Sequence, residues 1–220
     1  MKRKNKIMDI ETAIEAVKDG DTIMVGGFGL RGCPDDLIDA LIKTNRKNLT
    51  IISNDLGAPN EGLGKLLTNG QIKALIGNYY NWNTDVADAY NAGKIEVTLL
   101  PQGTFAESIR AAGIGVPAYY TLASAGTQLG EGKETKEFYG KTYVLEHALH
   151  ADIALIKAYK SDGLGNLVYC KVARNFNPVM AMAAKHTIAQ VSEIVEIGDL
   201  DPECVVTPHI FVQAVVKGGY

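Results

Sequence analysis

The chain has 220 residues, of which 46% are hydrophobic and 21% are charged, and its mean hydropathy is close to zero. No apolar run approaches the roughly 18 residues that a membrane span requires, and a formal charge of -3 with scattered Lys and Arg residues leaves no basic stripe for nucleic acid. We therefore expect neither a membrane nor a nucleic acid as a partner, and one domain over residues 1–220.

Cysteine and histidine placement argues against disulfides and metal sites. The three cysteines are Cys33, Cys170 and Cys204. Their wide spacing fits neither a disulfide framework nor a zinc site. His147 and His150 stand beside Glu146 without a third ligand motif, so we expect a solvent-facing helix there and no metal. The basic residues 1–6 lead into an amphipathic stretch rather than the apolar core of a signal peptide, so we interpret them as a solvated end. The three widely spaced cysteines fit a reducing, cytoplasmic location.

The first elements alternate between helix and strand. Residues 10–17 place apolar side chains at helical spacing after Asp9, a potential N-cap, and Gly20 follows where a helix would end. Residues 22–25 form a short apolar run, which is typical of a strand buried on both faces of a parallel sheet.

Further elements repeat this alternation. Pro34 suits the first turn of a second helix, in which Asp35 and Asp36 stand favourably for the helix dipole. Thr104 and Glu107 form a capping-box pair that predicts the start of another helix. More strands are predicted at residues 49–53, 72–77, 95–100, 152–158 and 187–191.

The order of these elements predicts an α/β fold, with three layers (α/β/α) around a mostly parallel open sheet. Residues 113–140 show weak periodicity, which is compatible with a lobe, a flap or an interface segment.

The glycine-rich stretch after the first strand is the most informative part of the chain. Backbone N–H groups beside glycines approach a ligand closely, and this stretch precedes the positive end of a helix, which suits an anionic ligand. Gly27, Gly29 and Gly32 also spell G-x-G-x-x-G, and Asp55 follows at the distance of a dinucleotide-binding acid. A nicotinamide enzyme and a tight turn needed only for packing are therefore both open interpretations.

A longer pattern resembles the signature of family I CoA-transferase α subunits. Residues 19–28 read DGDTIMVGGF, and residues 32–34 read GCP. Other segments resemble landmarks of that family in the same order: residues 49–55 (LTIISND), 101–104 (PQGT), 110–113 (RAAG), 131–134 (EGKE), 151–152 (AD), 156–158 (IKA), 165–167 (GNL) and 173–178 (ARNFNP). The 3-oxoacid, or acetoacetate, branch is nearest. Two departures, at Leu122 within residues 121–127 and at His209, leave the acyl preference open.

The resemblance implies a ping-pong transfer of coenzyme A between an acyl-CoA and a short carboxylic or 3-oxo acid, as in ketone-body and short-chain fatty acid metabolism. CoA would be a substrate, with no cofactor bound permanently. In that family the attacking glutamate stands in the β subunit, in a Ser-Glu-Asn-Gly-like motif. Glu61 and Glu131 lie in the nearest strings here, but neither string has that order. We therefore expect activity only with a β subunit, in a heterodimer or an α2β2 heterotetramer.

The resemblance also assigns residue roles. Gln102 matches a position whose amide points into the acyl pocket and stabilises charge on the attacked carbonyl oxygen, and Asn54 matches an acyl-binding asparagine. Tyr79, Tyr80 and Trp82 fit an acyl-pocket wall, a subunit contact or ordinary packing, and the role of Asp55 stays open. The implied CoA-binding loop consists of Gly26, Gly27, Phe28, Gly29, Leu30, Arg31 and Gly32.

Two other functions remain as alternatives. One is a nicotinamide-dependent oxidoreductase built on Gly27, Gly29 and Gly32, and the other is a non-catalytic binding domain on the same sheet architecture.

Overall fold

The computed structural model of the protein describes residues 5–219, so most of the basic start, residues 1–4, lies outside the described residues. The α-helices are α1 Ile10–Ile14, α2 Asp35–Thr44, α3 Gly64–Thr68, α4 Thr84–Asn91, α5 Gln102–Gly113 and α6 Asn177–Ala183. The strands are β1 Thr22–Val25, β2 Leu49–Ile52, β3 Ile72–Gly77, β4 Glu96–Leu99, β5 Ala118–Thr121, β6 Thr135–Phe138, β7 Lys141–His147, β8 Ala151–Asp162, β9 Leu167–Val168, β10 Ala184–Val195 and β11 Ala214–Lys217. Short 3-10 helices lie at Gln128–Gly130, Lys171–Arg174, Pro202–Cys204 and His209–Phe211. Between residues 5 and 219, no helix is both long and apolar enough to cross a membrane.

The main sheet has the order β11-β10-β8-β1-β2-β3-β4, and β9 pairs with β8. Every neighbouring pair in that path is parallel, whereas β9 runs antiparallel to β8. Ile23 and Val25 pack with helices α1 to α4 on one face, and Met24 packs with α5 and α6 on the other. The predicted α/β class with helices on both sides of an open sheet is confirmed.

Strand β1 is the point where the chain changes direction across the sheet. From β1 the chain builds β2, β3 and β4 outward on one side, and it later builds β8, β10 and β11 on the other. In open parallel sheets, ligands bind at the carboxyl ends of the strands beside such a switch point. The glycine loop follows β1, and Asn54 and Gln102 follow β2 and β4, so the sequence-predicted residues converge at this edge.

Two predicted helix starts have different outcomes. Asp9 caps α1 as predicted, because its Oδ1 accepts a hydrogen bond from the Thr12 N–H at 2.7 Å. The capping box at Thr104 and Glu107 is wrong: α5 begins at Gln102, after Pro101. Pro101 turns the chain there, and its carbonyl accepts the Phe105 N–H at 2.8 Å, which closes the first helical turn before Thr104 could cap it.

Residues 113–140 contribute to a separate three-stranded antiparallel sheet with the order β5-β7-β6. Its buried Glu146 accepts hydrogen bonds from Lys133 Nζ at 2.7 Å and Ser124 Oγ at 3.1 Å. His147 is the last residue of strand β7, so the helix predicted there is wrong. Val144 and Glu146 are buried two residues apart, which is the alternation of a strand. Within residues 5–219, no cluster of His, Cys, Asp or Glu side chains could hold a metal ion.

Helix α5 contains two glycines, one in a packed position and one in an open position, and substituting each by alanine tests how the helix packs. A Cβ added at Gly113 would lie 2.7 Å from Met182 Cβ, whereas one added at Gly103 would meet nothing within 4 Å. We expect Gly113→Ala to lower the free energy of unfolding by about 1–3 kcal/mol through overpacking. Gly103→Ala should raise it by about 0.5 kcal/mol, because alanine loses less backbone entropy in a helix. Urea denaturation measures both, and equal effects would contradict this packing of α5.

Candidate active site

The glycine loop after β1 is a tight reversal of the chain. The Phe28 N–H donates to the Arg31 carbonyl at 3.0 Å, and the Arg31 N–H donates back to the Phe28 carbonyl at 3.1 Å. Gly29, at the tip, has a φ of 57°, in the left-handed region that glycine adopts without strain. The G-x-G-x-x-G pattern thus encodes a closed turn that presents Gly29 and Leu30 at the edge of the sheet.

Two asparagines from a distant part of the chain hold this loop. Asn175 Oδ1 accepts the Gly27 N–H at 3.1 Å, and Asn175 Nδ2 donates to the Arg31 carbonyl at 2.9 Å. Asn177 Nδ2 donates to the Gly32 carbonyl at 3.1 Å. Gly26 has no room for a side chain, since an added Cβ would lie 1.8 Å from Asn177 Oδ1. The family resemblance pointed to residues 173–178 (ARNFNP) but did not predict that they hold the loop. The two asparagines, spaced two residues apart, were the feature that could have indicated this role.

The buried carboxylate of Asp55 ties the loop tip to the end of β2. Its Oδ2 accepts the Gly29 N–H at 2.7 Å and Asn54 Nδ2 at 2.7 Å, while its Oδ1 accepts the Gly57 N–H at 2.8 Å. Both oxygens are therefore engaged within the chain. Asp55 therefore connects the glycine loop to the loop after β2. It has no free carboxylate oxygen to bind the ribose of a dinucleotide.

The structure brings Asn54 and Gln102 into contact. Gln102 Nε2 donates to Asn54 Oδ1 at 3.1 Å; Asn54 is buried and Gln102 is exposed. An amide nitrogen carries two hydrogens, so the second N–H of Gln102 remains for a ligand. Asn78, which the sequence analysis did not single out, adds a third side-chain amide after β3. The backbone N–H of Asn78 donates to the backbone carbonyl of Asn54 at 3.3 Å, and the buried side-chain Oδ1 of Asn78 has no hydrogen-bond partner among the described residues.

The start of α2 is closed by the chain itself. The N–H groups of Asp36 and Leu37 donate to Gln190 Oε1 at 3.1 and 3.3 Å, and the Asp36 carboxylate accepts the Gly219 N–H at 2.6 Å. These side chains occupy the positive end of the helix. The sequence predicts an open anion-binding site at this helix start, but Gln190 already binds the N–H groups of Asp36 and Leu37 there. The glycine loop lies beside the helix start, and its own N–H groups are separate from these.

Aromatic side chains surround the loop tip. Phe28, Tyr79 and Trp82 are 51%, 53% and 47% exposed, whereas Tyr80 is buried. The Trp82 ring covers Gly29 so closely that an added Cβ there would lie 3.1 Å from it. Arg31 is exposed. The edge thus combines neutral amide donors with apolar ring surfaces.

No free carboxylate of the described residues hydrogen-bonds to the side chain of Asn54 or Gln102, because the Asp55 carboxylate, which accepts from Asn54, is fully engaged within the chain. Glu61 and Glu131 are exposed, and the one buried glutamate among residues 5–219, Glu146, is paired with Lys133 in the small sheet. Burial raises the pKa of the Cys33 thiol above its usual range, which disfavours the nucleophilic thiolate. The site therefore offers neutral amide donors beside a fixed backbone turn.

The parallel α/β sheet carries amide donors and a glycine turn at its switch point, and sequence comparison gives its family. The sequence profile of the coenzyme A transferase family matches residues 7–218. The chain belongs to the coenzyme A transferase family.

Individual relatives agree with this assignment. The chain is 52% identical to the A-type subunit of a succinyl-CoA:3-ketoacid coenzyme A transferase of Helicobacter pylori strain J99, over 97% of this chain and 93% of the relative. It is 53% identical to the A-type subunit of a 3-oxoadipate CoA-transferase of Pseudomonas putida, over 94% of this chain and 90% of the relative. An acyl-CoA transferase of Escherichia coli O157:H7, solved as a thioester complex with CoA, superposes with a TM-score of 0.88 at 25% identity. That alignment covers 98% of this chain and 47% of the E. coli chain, so this chain spans about half of that protein.

Removing the Asp55 carboxylate tests how the loop is held. We expect Asp55→Ala to lower the free energy of unfolding by about 3 kcal/mol, because it leaves the donors of Asn54, Gly29 and Gly57 without their acceptor. Asp39→Ala is the control: Asp39 pairs with Lys65 at the surface, and its loss should cost less than about 1 kcal/mol. Chemical denaturation compares the two, and similar losses would contradict the role of Asp55.

Proposed function

We propose that this chain is the subunit of a two-subunit CoA-transferase that binds the acyl-CoA, while a second subunit supplies the attacking glutamate. The enzyme exchanges CoA between an acyl-CoA and a short 3-oxo acid. The proposal for a 3-oxo acid is supported by the names of the relatives, which specify a 3-ketoacid in one case and 3-oxoadipate in the other. The cytoplasmic location stays a prediction.

The observation that carries this proposal is the Gln102–Asn54 amide pair, which lies beside the glycine turn at an edge without its own nucleophile. The 3.1 Å hydrogen bond orients the Gln102 amide through a buried partner, and that partner is in turn fixed by Asp55. Neutral amides stay protonated at every physiological pH and are well suited to stabilise an oxyanion. An arrangement of donors without an attacking group fits half of a shared active site.

In the proposed reaction, the thioester carbonyl carbon is attacked by a glutamate of the second subunit. Negative charge develops on the carbonyl oxygen, where the free Gln102 N–H donates a hydrogen bond. The C–S bond breaks, the CoA thiolate leaves and an acyl-glutamyl anhydride forms. The thiolate then attacks the glutamyl carbonyl, which gives a glutamyl-CoA thioester and releases the first carboxylate; the acceptor acid reverses these steps.

The glycine loop is proposed as the surface on which CoA lies. Because Asn175, Asn177 and Asp55 fix its backbone, the loop needs little reordering when a ligand binds. Phe28 supplies an apolar wall, and Gly26 to Gly32 supply the close backbone approach. The Trp82 ring, which lies against Gly29, adds to that wall, and the backbone N–H of Tyr79 donates to the Asn54 carbonyl at 3.1 Å.

A nicotinamide-dependent oxidoreductase is not supported. Both oxygens of Asp55 accept hydrogen bonds from this chain, and Gln190 occupies the helix start that would face a pyrophosphate.

Substitution of Gln102 tests the proposed function. We expect this chain alone to transfer no CoA, and the assembled two-subunit enzyme to transfer it. Gln102→Ala should reduce kcat of the assembled enzyme by about 10²-fold, since one oxyanion donor is lost. Asn91→Ala, which removes an exposed amide at the end of α4, is the matched control and should leave kcat unchanged.

Steady-state assays of thioester consumption measure these rates. Full activity of this chain without a second subunit would contradict the shared site, and an unchanged kcat in Gln102→Ala would contradict the role of that amide.

A further inference from the structure

A cavity of about 390 Å³ opens on the β8 side of the glycine loop. The loop, the start of α2, the end of β8 and the 3-10 helix at Lys171–Arg174 enclose it. Its lining includes Arg31, Asp35, Lys157, Tyr159, Tyr169 and Lys171. The cavity lies at the switch point between β1 and β8, on the opposite side of the loop from Asn54 and Gln102.

The charge of this cavity is positive. Three cations, Arg31, Lys157 and Lys171, face one carboxylate, Asp35. Lys157 is half-buried, and no carboxylate of residues 5–219 lies within 4.0 Å of its Nζ. Asp35 interacts with Lys157 across the cavity: burial raises the pKa of Asp35, and the positive charge of Lys157 acts in the opposite direction. Because the two side chains form no contact ion pair, the partly desolvated cation can still bind an anion.

The fold fixes the position of Lys157 relative to the loop. Val25, at the end of β1, pairs with Leu155, so Lys157 lies two residues further along β8, level with Gly27. The Lys157 N–H donates to Asn177 Oδ1 at 2.8 Å, and the amide of the same asparagine holds the Gly32 carbonyl. The cation and the loop are therefore positioned by one buried side chain.

We propose that this cavity binds a phosphate group of CoA, with Lys157 as its central cation and Arg31 and Lys171 at its rim. This inference rests on the proposed function and extends it. With the thioester at Gln102, the phosphate-bearing end of CoA would cross the loop to reach this cavity, which is a cationic recess on the far side. Tyr159 and Tyr169 add ring surface to the lining, and the Tyr169 hydroxyl is paired with Thr207 at 2.7 Å.

An acyl carboxylate is the other anion that this chemistry could bind, and truncated substrates distinguish the two sources. In the assembled enzyme, we expect Lys157→Gln to lower kcat/KM for acetoacetyl-CoA about tenfold, through KM, because one charge-assisted hydrogen bond is lost. The same variant should leave kcat/KM unchanged for acetoacetyl-pantetheine, which lacks the phosphates. Equal losses with both thioesters, or no loss with either, would overturn the proposal.

Two further variants control for charge and folding. Lys43→Gln removes the same charge from the last turn of α2, roughly 12 Å along the helix from Asp35, and it should change neither rate. Lys157→Arg keeps the charge and should retain most of the wild-type kcat/KM for acetoacetyl-CoA; a loss as large as that of Lys157→Gln would overturn the electrostatic role.

A binding measurement separates this inference from the proposed function. Calorimetric titration of the assembled protein with adenosine 3′,5′-bisphosphate should show binding that Lys157→Gln weakens about tenfold. That result without any CoA transfer would count against the proposed function alone. Transfer activity with no binding of the bisphosphate, or with binding that is insensitive to Lys157, would overturn the cavity assignment.

Discussion

The carboxylate of Asp55 connects three segments that meet at the edge of the sheet. It accepts N–H groups from the glycine turn and from the next loop, and it fixes the amide of Asn54, which in turn orients Gln102. A hydrogen-bonded chain therefore runs from the end of β1 through the end of β2 to the start of α5. Because Asn54 and Asp55 are buried, each link is costly to leave unmade, and the arrangement is rigid before any ligand binds.

This rigidity has a consequence for catalysis. A donor stabilises a developing oxyanion most when it is already aimed, since no reorganisation is then needed during the reaction. The glycine turn is held in the same way, by Asn175 and Asn177 from behind and Asp55 from the front. In the proposed enzyme, the chain thus prepares the binding half of the site and leaves the group that forms the covalent intermediate to its partner.

Local patterns predicted the α/β fold, because short apolar runs such as β1 are typical of strands in a parallel sheet. The roles of Asn54 and Gln102 came from a family resemblance and stay predictions; the structure adds that both residues follow strands whose carboxyl ends lie at one edge of the sheet. Contacts between distant segments were not predictable: Asn175 binds Gly27 across 148 residues, and Gln190 caps α2 across 154. The start of α5 was misplaced because Pro101 begins the helix before Thr104 could act as its cap.

Central to the proposed function is a covalent intermediate that forms on a different chain. Incubation of the assembled enzyme with acyl-CoA and no acceptor acid should trap CoA as a thioester on one glutamate, which peptide mass spectrometry can locate. We predict that the adduct lies on the partner subunit, whereas all glutamates of this chain remain unmodified. A CoA adduct on Glu61, Glu131 or any other glutamate of this chain would contradict the shared site.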